Sequence, residues 1–128
     1  MIVDEETIHN NLAEPKVWGP AFWFTLHNSA YHYPNMASPI VVLQTKNFIK
    51  GIPNMLPCPS CSIHARKYIT DREDKLNKIT STKKELFKFF VDFHNAVNVR
   101  TGKPEMELVD VYKMYSNGTV TTYKNEMI

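Results

Sequence analysis

Cys58 and Cys61 are the only cysteines among the 128 residues, and they stand together in one Cys-x-x-Cys sequence, Cys58-Pro59-Ser60-Cys61. Two cysteines this close cannot tie distant segments together, and a disulfide-stapled secreted domain carries more of them. Redox exchange is therefore the chemistry to expect. The pair follows Leu56-Pro57 and precedes good helix formers such as Ala65 and Arg66, so it opens a helix over about Cys58 to Ile69. There the partial positive charge and free N–H groups of the helix start favour a thiolate. A lowered thiol pKa also speeds departure of that sulfur in exchange. His64, Arg66 and Lys67 add positive charge nearby. Two other readings of the pair stay open. Zinc needs four ligands, so histidines would have to complete the set, and only His27 and His32 have finger-type spacing among His9, His27, His32, His64 and His94. The cysteines can also be two buried, inert thiols. Thioredoxin-like chemistry is disfavoured, because no βαβ pattern surrounds them.

The elements that must position such a pair read as helices. Trp23, Leu26, His27 and Ala30 share one helical face between Ala21 and Tyr33, and Pro34-Asn35 stop it. Pro15 argues against helix through the preceding polar stretch. Ser38 caps a second helix from Pro39 to about Lys50, although its Ile40-Val41-Val42-Leu43 run is also strand-like. Thr70 to Thr80 is charged and connecting. Ser81 or Thr82 caps the longest helix, about Lys83 to Arg100, which is apolar nearly all round and so belongs at the centre of a bundle. Thr101-Gly102 ends it. Val109 to Tyr115 is expected as a short fifth helix, with a hairpin through Asn117-Gly118 as the alternative. The fold class is all-α, a four-helix bundle with a short fifth helix.

Composition narrows the classes. With 43% apolar and 22% charged residues the chain is globular rather than disordered. A net charge of +2 with no basic run longer than two residues gives no reason to expect a nucleic-acid partner. No apolar run reaches the ~18 residues of a membrane span. The acidic start, Met1 to Glu6, lacks the features of a signal peptide, so a cytoplasm-like compartment is expected.

Three segments together are more specific than the cysteine pair. They are Trp18-Gly19-Pro20-Ala21-Phe22-Trp23-Phe24-Thr25-Leu26-His27, then Leu56-Pro57-Cys58-Pro59-Ser60-Cys61, then Phe93-His94-Asn95-Ala96-Val97-Asn98 running on to Gly102-Lys103-Pro104. In this order and spacing the chain resembles the Erv/ALR sulfhydryl oxidases, and most resembles the compact members encoded by large cytoplasmic DNA viruses. The resemblance implies FAD held non-covalently at the mouth of the bundle. It divides the chain into a polar arm over residues 1–16, an oxidase domain over 17–115 and a tail over 116–128. It assigns the redox role to Cys58 and Cys61, with Cys61 next to the flavin. Cofactor contacts fall on Trp18, Gly19, Trp23, His27, Tyr31, His94, Asn95, Val97, Asn98, Arg100, Lys103 and Tyr115, with no metal site. Arg100 and Lys103 would meet the pyrophosphate, and Tyr115, at a position that is often Trp, would stack on adenine.

The implied activity is disulfide formation in protein substrates. Electrons would pass from the Cys58–Cys61 pair through FAD to oxygen, giving hydrogen peroxide. The partners implied are thiol-bearing proteins or a thioredoxin-like electron carrier, and a second copy of the chain, with Val41, Val42 and Phe48 as candidate interface residues. Location in the host cytoplasm or the virion would follow if the source is viral. Departures from the pattern matter too. The second cysteine pair that shuttles electrons in many members is absent, and an Arg common in the opening motif is Pro20. Val91 and Leu108 stand where many members have a structural disulfide, and are expected to pack together instead. The reading from another class is a non-enzymatic helical interaction module with structural or zinc-binding cysteines.

Overall fold

A computed structural model describes residues 12–120. The chain forms α1 (Pro15–Tyr31), α2 (Pro39–Gly51), α3 (Pro59–Thr70), α4 (Leu76–Ile79), α5 (Lys83–Arg100) and α6 (Leu108–Ser116). Short 3-10 turns at Ile52–Met55 and Glu73–Lys75 lead into α3 and α4, and no strand occurs among the described residues. Four long helices with α6 as the short fifth match the expected bundle.

The helix starts follow local chemistry. Pro15 occupies the first turn of α1, where its missing N–H is not needed, so the helix begins earlier than the proline suggested. Pro20 lies inside α1 without ending it. Its one lost bond would go to the carbonyl of exposed Lys16, which water can satisfy. Ser38 Oγ accepts from Val41 N–H at 3.4 Å, and Thr82 Oγ1 from Glu85 N–H at 3.1 Å. The strand-like run after Pro39 is helical, and only Ile49 of α2 is buried.

The charged stretch before α5 is more than a connector. Leu76 is fully buried, and Thr80, also buried, donates its hydroxyl to Leu76 O at 2.6 Å. Leu76, partly buried Ile79 and Thr80 together hold that segment on the core. α5 forms the centre and packs along α1. Its Leu86, Phe87, Phe89, Phe90, Val91 and Phe93 are buried, but Lys88 and Asp92 pair at 2.8 Å on an exposed stripe, so the helix is not apolar all round.

Two helix ends shape the mouth of the bundle. At the end of α5, Gly102 takes φ 77°, Gly102 N–H donates to Val99 O at 3.2 Å, and Lys103 N–H donates to Asn98 O at 2.7 Å. This Schellman turn reverses the chain beside the last turn of α5. The same turn closes α6: Gly118 has φ 65°, and Thr119 N–H donates to Met114 O at 3.0 Å. Asn117-Gly118 is thus a helix stop and not a hairpin; residues 121–128, the rest of the expected tail, lie outside the described residues, as do residues 1–11 of the arm.

Candidate active site

Cys58 is the N-cap of α3, and its Sγ accepts from Cys61 N–H at 3.4 Å. Ser60 Oγ lies 3.3 Å from the same sulfur. Burial pushes the Cys58 thiol up, but hydrogen bonds from the side chains and backbone of Cys61 and Ser60 outweigh it and hold its pKa below the ordinary thiol value. Cys61 goes the other way. Burial raises it most, the hydrogen bond and charge of Cys58 add to this, and the Arg100 guanidinium opposes without cancelling them. In the dithiol state Cys58 is therefore the more readily ionised of the two sulfurs. Ser62 Oγ donates to Pro53 O at 2.7 Å, tying the first turn of α3, beside the sulfurs, to buried Pro53 of the 3-10 turn.

Both cysteines open onto a cleft of about 340 Å³ between α1, α3 and the end of α5. That volume lies in the ~300–1,000 Å³ range of small-molecule sites. Trp18, Gly19, Phe22 and Trp23 line it from α1, and Cys61, His64, Ala65 and Tyr68 from α3. Phe93, His94, Val97, Asn98 and Arg100 line it from α5, with Lys103 beyond. The walls are flat and aromatic: Trp23 stacks on His94 with centroids 4.1 Å apart and planes 4° apart, and Tyr68 stacks on Phe93 at 5.1 Å. Arg100 and Lys103 supply positive charge to the lining. Asn98 Nδ2 is buried and has no hydrogen-bond partner among the described residues. A donor left this way at a cleft wall is costly unless a ligand meets it. A group with a planar aromatic ring, acceptor atoms and phosphates fits this set, and FAD is such a group.

Ten of the residues singled out from the sequence thus converge: Trp18, Gly19, Trp23, Cys58, Cys61, His94, Val97, Asn98, Arg100 and Lys103. Four stand outside the cleft lining. His27 is fully buried behind it, with Nε2 3.1 Å from His94 Nδ1. Tyr115 is buried edge-on against His27, with centroids 5.6 Å apart, and burial pushes its hydroxyl pKa up. Tyr31 faces α6 and α5, against Tyr112 and Phe87, with Lys83 Nζ 4.0 Å above its ring. Asn95 grips the backbone of Met106, its Nδ2 donating to Met106 O and its Oδ1 accepting from Met106 N–H, both at 2.8 Å. Sequence reasoning missed Phe22, Leu56, Tyr68, Phe93 and Thr101 as lining residues. Cys61, Ala65 and Tyr68 fall at i, i+4 and i+7 of α3, a stripe that could have been found by projecting the helix from the cysteine.

Two further expectations change. Val91 is buried but Leu108 is 38% exposed and outside the core, so the pair does not replace a disulfide by shared burial. His27 and His32 do not converge on the cysteines. His27 turns to His94, and exposed His32 places Nδ1 2.9 Å from Asn28 O. Among the described residues no three His, Cys, Asp or Glu side chains cluster to hold a metal ion.

Residues 20–116 match the Erv1 / Alr family. The chain belongs to that family. It is similar to the putative FAD-linked sulfhydryl oxidase 347L of Invertebrate iridescent virus 6, 46% identical over 94 residues that cover 71% of this chain and 85% of the relative. It is also similar to the putative FAD-linked sulfhydryl oxidase 096R of Invertebrate iridescent virus 3, 43% identical over 102 residues, 80% of this chain and 68% of the relative. The crystal structure of the yeast Erv1 core superimposes with a TM-score of 0.74 at 24% identity, covering 82% of this chain and 86% of that one, which shows that the fold is shared. The FAD binding domain of yeast Erv1 superimposes with a TM-score of 0.70 at 25% identity, over 78% of this chain and 91% of that one.

Proposed function

We propose that this chain is an FAD-linked sulfhydryl oxidase that makes disulfides in thiol-bearing proteins. The observation that carries the reading is the opening of a Cys-x-x-Cys pair, its two thiols pushed apart in pKa, onto an aromatic cleft with two cations and an orphaned amide. Trp23, His94, Asn98, Arg100 and Lys103 would hold the cofactor. When bound, FAD supplies a two-electron acceptor beside the sulfurs that can pass the electrons on to oxygen and so yield hydrogen peroxide.

The protein's part is sulfur exchange. With the pair oxidised, a substrate thiolate attacks Cys58 Sγ; the new S–S bond forms as the Cys58–Cys61 bond breaks and Cys61 leaves as thiolate. The Arg100 guanidinium favours that charge. A second substrate thiol, losing its proton, then attacks the substrate sulfur of the mixed disulfide and releases Cys58. The low pKa of Cys58 makes it the better leaving group in this step. The substrate is left as a disulfide and the pair as a dithiol holding two electrons for the cofactor. With no second cysteine pair in the chain, substrate or carrier thiols reach Cys58 directly.

A second copy of the chain is proposed to cover α2, where Ile40, Leu43 and Phe48 are 58, 52 and 56% exposed on a helix with one buried residue. Val41 and Val42, considered with Phe48 from sequence, are half-buried and lie closer to the core. A cytoplasm-like location is also part of the proposal, and cell fractionation tests it. For the activity itself, purified protein should be yellow and, given a dithiol, should consume oxygen with one peroxide formed per disulfide. Colourless protein carrying stoichiometric zinc would defeat the reading and favour the interaction module.

A further inference from the structure

Cys58 stands at the edge of an exposed apolar surface that the cleft does not use. Ser60 Oγ lies 3.3 Å from Cys58 Sγ, and Ile63 follows Ser60 by three residues, so the two share a face of α3 with Cβ atoms about 5–6 Å apart. Ile63 is 68% exposed and is not part of the cleft lining. Met55, three residues before Cys58, is 82% exposed, and Pro57 and Pro59 on either side of the cysteine are exposed as well. A single exposed apolar side chain needs no explanation, but several gathered at one reactive sulfur do. Charge here has one sign. No Asp or Glu occurs from Gly51 through Thr70. Lys67 is paired with Asp71 at 3.0 Å, whereas Arg66, three residues after Ile63, donates to the neutral amide oxygen of Asn54 at 3.0 Å and has no carboxylate partner among the described residues.

The covalent step dictates what must cover this surface. When a substrate thiolate opens the Cys58–Cys61 bond, the mixed disulfide holds the partner's Cβ about 4 Å from that of Cys58. In an extended partner segment, at ~3.3 Å per residue, the positions one and two from its cysteine then come within reach of the surface around Cys58. We propose that Met55, Pro59 and Ile63, with Arg66 beside them, form a docking rim that selects protein thiols carried on an extended segment with apolar residues next to the cysteine and a carboxylate nearby. The inference rests on the reading of Cys58 as the sulfur that substrates attack, and it names the substrate class for that site. A small disulfide or dithiol cannot span the rim, so selection applies to peptides and proteins alone.

The test times one exchange and needs no turnover. The probe is a synthetic peptide whose single cysteine, flanked by leucines and an aspartate, is activated as a mixed disulfide with thionitrobenzoate. In the full chain carrying Cys61→Ser, with FAD added, the Cys58 thiolate attacks the peptide sulfur; the Cys58–peptide bond forms and thionitrobenzoate leaves as a coloured anion. Adding Ile63→Ser should slow this release about tenfold, the loss of one buried apolar side chain, and Met55→Ser should slow it less. Both should leave the reaction with dithiobis-nitrobenzoate itself unchanged. A control peptide with serines and a lysine in place of the leucines and aspartate should react about tenfold more slowly and ignore Ile63→Ser. Arg66→Gln should remove the advantage of the aspartate peptide at low salt. If Ile63→Ser slows the small reagent and the peptide equally, or slows neither, the rim does not dock substrates and the inference fails. If the unaltered chain binds no FAD or leaves a small dithiol unoxidised, the functional reading fails, and the exchange rates still decide the rim.

Discussion

Asn95 makes the most discriminating variant, because its place in the structure predicts an effect on the cofactor although it does not line the cleft. Its amide holds Met106 through two bonds of 2.8 Å and so pins the segment that follows the Schellman turn at Gly102-Lys103. Removing it in Asn95→Ala breaks both bonds, at about 1 kcal/mol each, so the folded state should lose about 2 kcal/mol in urea unfolding. Lys103, in the turn just before that segment, lines the cleft. Losing a charged contact worth about 1.5 kcal/mol weakens FAD roughly tenfold. Lys103→Ala should do the same, with the larger loss at low salt, where charge is least screened. The double variant decides the matter. If Asn95 works through Lys103, the two together weaken FAD about tenfold and not about a hundredfold. Fluorescence titration of FAD into the wild type, both single variants and the double variant measures this directly. Multiplying effects, or an Asn95→Ala protein with wild-type affinity, would refute the reasoning.

Three other outcomes follow from the same geometry. The folded state keeps His27 neutral down to about pH 3, whereas the unfolded chain takes up that proton near 6.5, so the unfolded state binds more protons and stability falls as pH drops through this window. The ring should cost about 2 kcal/mol between pH 7 and pH 5 in urea unfolding, and His27→Gln should lose that much less over the same interval. In the reduced pair, iodoacetamide should alkylate Cys58 before Cys61, with a pH midpoint below that of an ordinary thiol; mass spectrometry finding Cys61 modified first would contradict the assignment. Phe48→Asp should turn a sedimenting dimer into a monomer, and a wild type that sediments as a monomer would remove α2 as an interface.

Much of this was legible in the chain because it is local. Thr82, Ser38 and the Cys58-Pro59 step announce helix starts through bonds spanning three residues. The Trp23–His27 spacing announces one face of α1. What that face meets is not local. Trp23 and His27 differ by about 40° around the helix, yet Trp23 reaches the cleft while His27 lies in the core behind it, against Tyr115 of α6. Asn95 looked like a ligand for a cofactor, and its partner turned out to be a backbone eleven residues away that no periodicity reveals. Tyr31 meets Tyr112, Phe87 and Lys83, a cation over its ring, all from other helices. Asn117-Gly118 carries the same two letters whether it turns a hairpin or stops a helix, and the preceding α6, amphipathic enough to dock Val111 and Tyr115 in the core, decided it.

Delivery of electrons from Cys61 to a bound flavin is the central step of the proposed activity. Anaerobic mixing of the yellow protein with one equivalent of dithiol tests this in a single turnover. The wild type should bleach, and Cys61→Ser should bind FAD with unchanged affinity and keep its colour. A Cys61→Ser protein that bleaches at the wild-type rate would show that the electrons take another route.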